Sequence, residues 1–399
     1  MHRRHFLGTG LAAGLLAASP LNVAFADAAT DKRLVLIVLR GAMDGLGAIA
    51  PYADPDYRPI RGELALAEPG QPDGLLDLDG HFGLHPSLAP IHGWWAEKQL
   101  LAVHAIATPY RERSHFDAQD LLESGGARPA GQDTGWLNRA LAQLHGQGSG
   151  LGLALGQGVP LVMRGAVPVA SWAPSPLPEP TTDFLNRVMD LYQKDKVLGP
   201  ALSAGLGIAD MAQNASGSGM MEPGQPKPKD RQLMATTAGR MLADPAGPRV
   251  AVMDMQGWDT HVGQGSIKGR LPNALADLAE VMGLLRQGLG DAWGQSVIAV
   301  VTEFGRTVRP NGTGGTDHGT AGVALLAGGA VEGGRMLGQW PGLREDKLYE
   351  GRDLAPTTDM RALLKAVLKD HLGVPGRALD AHIFPDGKNV RPMADLIRA

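Results

Sequence analysis

The 399-residue chain carries 37 Lys and Arg against 41 Asp and Glu, for a formal net charge of −4, and it has no cysteine. This mild acidity argues against nucleic acid or an anionic membrane surface as the main partner. The lack of thiols excludes disulfides, thiolate metal sites and a cysteine nucleophile, leaving oxygen and imidazole ligands for any bound ion.

Residues 1–26 read as a twin-arginine export signal. Arg3-Arg4 and Phe6-Leu7 precede a Gly/Ala-diluted apolar run that ends at Ala24-Phe25-Ala26, an A-x-A cleavage pattern. The run is too short and too glycine-rich for a membrane span, and no later stretch is long enough for one. The expected mature protein starts near Asp27, is periplasmic or secreted, and forms one domain over residues 27–399.

The segment Arg33–Arg40, R-L-V-L-I-V-L-R, is a short continuous apolar run, the pattern of a strand buried on both faces. It ends in a glycine-rich turn that carries Asp44. Residues 51–80, rich in Pro, Asp and Gly, read as surface loop. Pro86 suits the first turn of a helix that places Trp94-Trp95 on its face. Leu100–Ala107 is a second apolar strand, and His104 within it reads as a packed core histidine.

Ser114 stands where the next helix begins, with Asp117 three residues on. That position fits two roles. One is a helix cap with Asp in the usual Glu place. The other is a nucleophile whose reacting centre is stabilised by the free N–H groups of a helix N-terminus. Asp133 or Thr134 caps a further helix, residues 149–175 suit short strands, and 181–196 an amphipathic helix. Residues 214–230 are too polar and too rich in Gly and Pro to pack, and read as a flexible insertion.

The third buried strand, 249–255, runs into Gln256-Gly257-Trp258-Asp259-Thr260-His261, where Asp259 and His261 can face one ion. A helix over about 271–287 leads to a further apolar run, 297–301, followed at once by Glu303 and Arg306. A loop with Gly312, Gly314 and Gly315 then returns Asp317-His318-Gly319. One more short strand begins near Val323, and Thr357 or Thr358 caps a last helix that extends to about Leu372.

Several segments thus share one design, in which an apolar strand is followed by chemically able side chains. In an open α/β sheet such residues converge on the carboxyl edge. Asp44, Asp259, His261, Glu303, Asp317 and His318 are the candidate ligands, with Ser114 and Arg306 as candidate catalytic groups. Mixed carboxylates and imidazoles suit a divalent ion such as Zn or Mn, and two-metal sites use the same ligand mix.

The twin-arginine start resembles that of the bacterial domain-of-unknown-function 1501 family, as do L-R-G-A-M-D-G, L-H-P-S-L-A-P, R-S-H-F-D-A-Q-D, G-W-D-T-H, T-E-F-G-R-T and G-G-T-D-H-G-T. That family is in turn distantly similar to the alkaline phosphatase and sulfatase superfamily. The resemblance implies a three-layer α/β sandwich around a mostly parallel sheet. It also implies a metal-assisted hydrolase of a phosphate or sulfate ester, on a small molecule or a glycan, with one or two ions. By the same resemblance Asp44 matches the first-strand metal acid and Ser114 the nucleophile, while Asp259 and His261 match the middle ligand pair. Glu303 stands where the superfamily often has Asp-His, with Phe304 in place of that histidine, and His318 matches the final loop histidine. In a rival alignment Asp317-His318 is itself the Asp-His pair. Under either alignment a ligand of the usual two-metal set is missing, and a binding or surface-assembly protein that keeps the fold is the alternative reading.

Replacing Arg3 and Arg4 together by lysine is expected to leave precursor in the cytoplasm. Fractionation and N-terminal sequencing check this, and unchanged export or a mature N-terminus at Met1 refutes it.

Overall fold

The computed structural model describes residues 30–144, 151–175, 177, 180–216 and 230–398. The expected export signal lies outside them, as does most of the expected flexible insertion. Residues 214–216 of that insertion are the end of a helix.

The chain is an α/β protein built on a nine-stranded sheet. Its strands are β1 (Arg33–Arg40), β2 (Leu100–Ala107), β3 (Gly152–Leu155), β4 (Ala170–Trp172), β5 (Val250–Gln256), β6 (Ser296–Thr302), β7 (Gly322–Ala327), β8 (Arg335–Leu337) and β9 (Thr358–Asp359). They lie in the order β8-β2-β7-β6-β1-β5-β3-β4, and β9 also pairs with β2. All pairings are parallel except those of β7, which runs against both β6 and β2.

The apolar runs are continuous because both faces of the sheet are covered. Val35, Ile37 and Leu39 of β1 face one core, and Leu34, Leu36 and Val38 face another. The first core is closed by the helices α1 (Ala89–Ala96), α4 (Leu198–Ser216), α5 (Asp230–Ala243) and α6 (Arg270–Leu289). The second is closed by α2 (His115–Ser124), α3 (Trp136–Leu141) and α7 (Met360–Ala366). Each fully buried Leu, Ile or Val contributes roughly 1.5–3 kcal/mol, so period-two alternation between two closed faces pins the register. Leu39 aligns with Thr302, Arg40 with Gln256, and Gly322 with Ile106. The ends of β1, β2, β5 and β6 therefore share one edge with the start of β7.

His104 is buried, stacks on Phe82, and its Nε2 meets the Ile49 carbonyl oxygen at 3.0 Å. Burial lowers its pKa to about 4, as expected of a neutral core histidine.

The stretch 51–80 departs from the surface-loop expectation. Tyr57, Arg61, Leu64 and Leu66 in it are buried, and Arg61 forms an ion pair with Asp44 whose two side chains have at most 1% exposure. Arg61 also donates to the Val308 carbonyl at 3.2 Å, while Asp44 accepts from Gln264 Nε2 at 2.6 Å and from Leu46 N at 3.1 Å. Asp44 is thus the N-cap of the short helix Gly45–Ala48 and one half of a buried pair. Desolvating a lone charge costs far more than desolvating a pair, so the sequence around Arg61 is held inside by its partner. Arg61→Met is expected to cost about 3–5 kcal/mol, read from urea unfolding, and a change below about 1 kcal/mol refutes this account of Asp44.

Candidate metal centre

Three segments meet at the sheet's carboxyl edge. The first is the start of α2. Arg113, just before it, is a non-glycine residue in the left-handed region (φ 60°), and Ser114 is extended (φ −91°, ψ 125°) at the N-cap position. The Ser114 side chain makes no capping bond to the helix, so the expected capping box is not formed. Close by, the Tyr110 hydroxyl donates to Asp117 Oδ2 at 2.9 Å.

The second segment is the turn after β5, which carries Asp259 and His261. The third is a two-stranded ribbon after β6, in which Arg306 bridges His318 in antiparallel fashion. Gly319 N donates to Gly305 O at 2.8 Å, and a Cβ on Gly319 would collide with the Arg306 backbone. Glycine is required here because the two limbs are packed backbone to backbone. Thr316 N donates to Thr260 O at 3.2 Å, which ties the ribbon to the β5 turn.

Three imidazoles converge in this cleft, and each has its Nδ1 committed. His115 Nδ1 donates to Glu303 Oε1 at 2.8 Å, His261 Nδ1 to Asp317 Oδ1 at 2.9 Å, and His318 Nδ1 to the Arg113 carbonyl at 2.9 Å. Those acceptors fix the tautomer, so each Nε2 presents a lone pair. All three point at Asp259. His261 Nε2 lies 3.0 Å and His318 Nε2 3.4 Å from Oδ1, and His115 Nε2 lies 3.6 Å from Oδ2. His261 Nε2 and His318 Nε2 are 2.9 Å apart. Bare lone pairs at that distance repel unless a cation or a proton lies among them.

The site fits a divalent ion on these grounds. Ligand atoms of His115, Asp259 and His318 all lie within 4.8 Å of one another. His115 Nε2 is buried with no hydrogen-bond partner. Each imidazole has an outer partner, the arrangement that orients metal-binding histidines. His261 stands within reach as a fourth group.

The remaining expected residues sit behind these ligands. Glu303, expected as a ligand, is fully buried and spends its oxygens on His115, Gly41 N at 2.8 Å, Gln119 at 3.0 Å and Thr302. Burial pushes its carboxyl up, but these hydrogen bonds outweigh that and hold it below the usual range. The same Glu303 bond raises the His115 imidazole against the effect of burial, while burial lowers His318.

Asp317 orients His261 and also accepts from Asn311 Nδ2 at 3.0 Å. Arg306, expected to be catalytic, is buried. It clamps Asp259 Oδ1 at 2.6 Å, and its other nitrogens bond to Thr316. Burial raises the Asp259 carboxyl, but the Arg306 hydrogen bond and charge outweigh it and keep the group ionised. Asp44 spends its oxygens on Arg61, Gln264 and Leu46, apart from the cluster of His115, Asp259 and His318.

His115 was not singled out from the sequence, although it directly follows Ser114. A signal was present, since its place in the first turn of the helix carries it to the same edge as Ser114. Phe304 stacks on the His115 ring with centroids 4.9 Å apart.

Residues 71–383 match the family described as "Protein of unknown function (DUF1501)", and the chain belongs to that family. No curated protein matches it. Among solved structures, the chain is similar to Ps i-CgsB in complex with k-i-k-neocarrahexaose (9% identity, TM-score 0.40, 91% of this chain and 77% of that one). It is similar to the C-terminal periplasmic domain of EcEptC from Escherichia coli (11%, TM-score 0.40, 91% and 87%). It is also similar to the phosphonate monoester hydrolase SpPMH from Silicibacter pomeroyi (9%, TM-score 0.36, 91% and 78%). At these scores nothing about function follows from the likenesses.

Elemental analysis of the native protein is expected to find a stoichiometric divalent metal. His115→Ala and His318→Ala should each lose it, and Asp44→Asn should retain it. Retention in both alanine variants, or loss in Asp44→Asn, refutes the ligand assignment.

Proposed function

We propose that the chain is an exported, metal-dependent hydrolase of a phosphate or sulfate ester, carried on a small molecule or a glycan, with Ser114 as nucleophile. The observation that carries the reading is the position of His115. Its partnerless Nε2 belongs to the imidazole and carboxylate cluster, and Ser114 immediately precedes it at the N-terminus of α2. Zn or Mn suits three imidazoles and a carboxylate. Such an ion supplies Lewis-acid polarisation of the ester oxygens.

The protein groups have separable tasks in this reading. The Ser114 hydroxyl bonds to phosphorus or sulfur, the bond from that atom to the ester oxygen breaks, and the alcohol leaves after taking up a proton. Water then cleaves the seryl ester. Asp117, three residues beyond Ser114 and hydrogen-bonded to the Tyr110 hydroxyl at 2.9 Å, is the carboxylate assigned to take up the serine proton in this reading. The free N–H groups of α2 favour the anionic group. Arg306 holds Asp259 in place and has no nitrogen free for the substrate. Export by the twin-arginine route rests on Arg3-Arg4 and the A-x-A pattern.

One observation favours the non-catalytic alternative. If His261 joins His115, Asp259 and His318, four protein ligands close the ion, as in structural rather than catalytic sites. Ser114 separates the two readings. Its side chain makes no cap bond, so Ser114→Ala and Ser114→Asn should change stability by less than about 0.5 kcal/mol. As nucleophile, either change should lower turnover of an aryl phosphate or aryl sulfate about a thousandfold or more in folded, metal-loaded protein. Near wild-type turnover in Ser114→Asn overturns the nucleophile role, and wild-type protein inert on both ester classes favours the closed, non-catalytic site.

A further inference from the structure

The turn before β9 is not part of the cleft, yet it holds two of the imidazoles. Asp353 there is fully buried. Its Oδ2 accepts from Arg113 Nε at 2.9 Å and from Thr320 Oγ1 at 2.8 Å. Arg113 is the residue whose carbonyl takes the His318 Nδ1 proton, and it precedes Ser114 and His115 directly. Thr320 lies two residues beyond His318. Next to Asp353, Arg352 donates to the His318 carbonyl at 2.5 Å, and Asp353 itself bridges Thr307 on the ribbon.

A left-handed conformation at a non-glycine residue costs of order 1–3 kcal/mol and persists only where the surroundings enforce it. Arg113 is such a residue, at φ 60°. Its guanidinium is anchored on Asp353, and on Glu350 at 2.5 Å, so the strained backbone is held by its own side chain. The direction of the Arg113 carbonyl decides which His318 nitrogen carries the proton, and hence which one faces the cleft.

We infer that Asp353 is a positioning residue for the metal centre. Through Arg113 it fixes the His318 tautomer and the entry of the chain into Ser114-His115, and through Thr320 it fixes the limb that carries His318. This rests on the metal-site reading of the cleft for its binding arm only.

The test uses full-length mature protein. In the metal-free wild type, ¹⁵N spectra of the imidazoles are expected to show His318 as the Nδ1–H tautomer. In Asp353→Asn a mixture containing Nε2–H is expected, and an unchanged His318 tautomer overturns the inference whether or not metal binds. Where the wild type binds Zn by calorimetry, Asp353→Asn should weaken it about 10–100-fold at unchanged circular dichroism. In the same metal-free spectra His261, whose Nδ1 is held by Asp317, should keep its tautomer in Asp353→Asn, because the carboxylate acts through the His318 ring. A tautomer change of equal size at His261 would mark Asp353 as a general strut and overturn the inference. If Asp353→Asn does not fold, Arg113→Lys carries the same expectations, since lysine keeps the charge but loses the fixed Nε–H fork. Wild-type protein that binds no Zn or Mn defeats the metal reading, and the tautomer result still decides the role of Asp353.

Discussion

Three imidazoles can offer lone pairs to one point only if their other nitrogens are already engaged. Glu303, Asp317 and the Arg113 carbonyl do this, each from a different segment. If any one acceptor were lost, the corresponding ring could take its proton on Nε2 and turn a ligand into a donor. The chemistry of the cleft therefore depends on groups that need never touch a substrate. It also explains why those groups are buried or fixed by several bonds while the ligands are partly open.

The charge balance has the same origin. Asp259, Glu303 and Asp317 stand around the cleft, and Arg306 is the cation that contacts Asp259 within it. The hydrogen-bonded carboxylates stay ionised, so the cluster carries more negative than positive charge when the imidazoles are neutral. A divalent cation or protonated rings can offset the excess. Protonation of His115 is favoured by Glu303, whereas burial disfavours it at His318. A single cation shared by all three rings resolves that conflict.

The sheet was legible because strands covered on both faces carry unbroken apolar runs, and the runs of β1, β2, β5, β6 and β7 are all evident as sequence. The convergence of Asp259, His261, Glu303, Asp317 and His318 was legible for a related reason, since each follows a strand that ends on the same edge. Their division of labour was not. A buried glutamate that accepts from an imidazole and one that binds an ion look alike in a string of letters. The pairing of Asp44 was not legible, because its partner Arg61 lies in a Pro/Gly-rich stretch whose composition suggests exposure. Arg61 is inside because an ion pair compensates its charge, and pairing across 17 residues leaves no periodic trace. Asp353 was silent for the same reason, as its influence passes through a strained backbone rather than a motif.

The one reversed strand of the sheet has a consequence for how this cleft can change. Strands β6 and β7 run in opposite directions side by side, so the chain leaves the sheet after Thr302 and re-enters it at Gly322 on the same edge. No crossover helix is needed between them, and the ribbon bearing Arg306 and His318 is a hairpin packed against the turn after β5. Its tip is pinned to the β5 turn, where Gly263 N donates to Thr313 O at 3.2 Å, Gln264 N to Gly314 O at 2.9 Å, and a Cβ on Gly315 would collide with the Thr260 and His261 carbonyls. The paired base, locked by Gly305 and Gly319, keeps the ligands where they are. Because Asn311 and Thr313 at the tip also bond to the His261 carbonyl, the shape of the cleft's outer wall and the placement of the imidazoles are heritable together, and a change in the length of this hairpin is felt by the inner constellation as well.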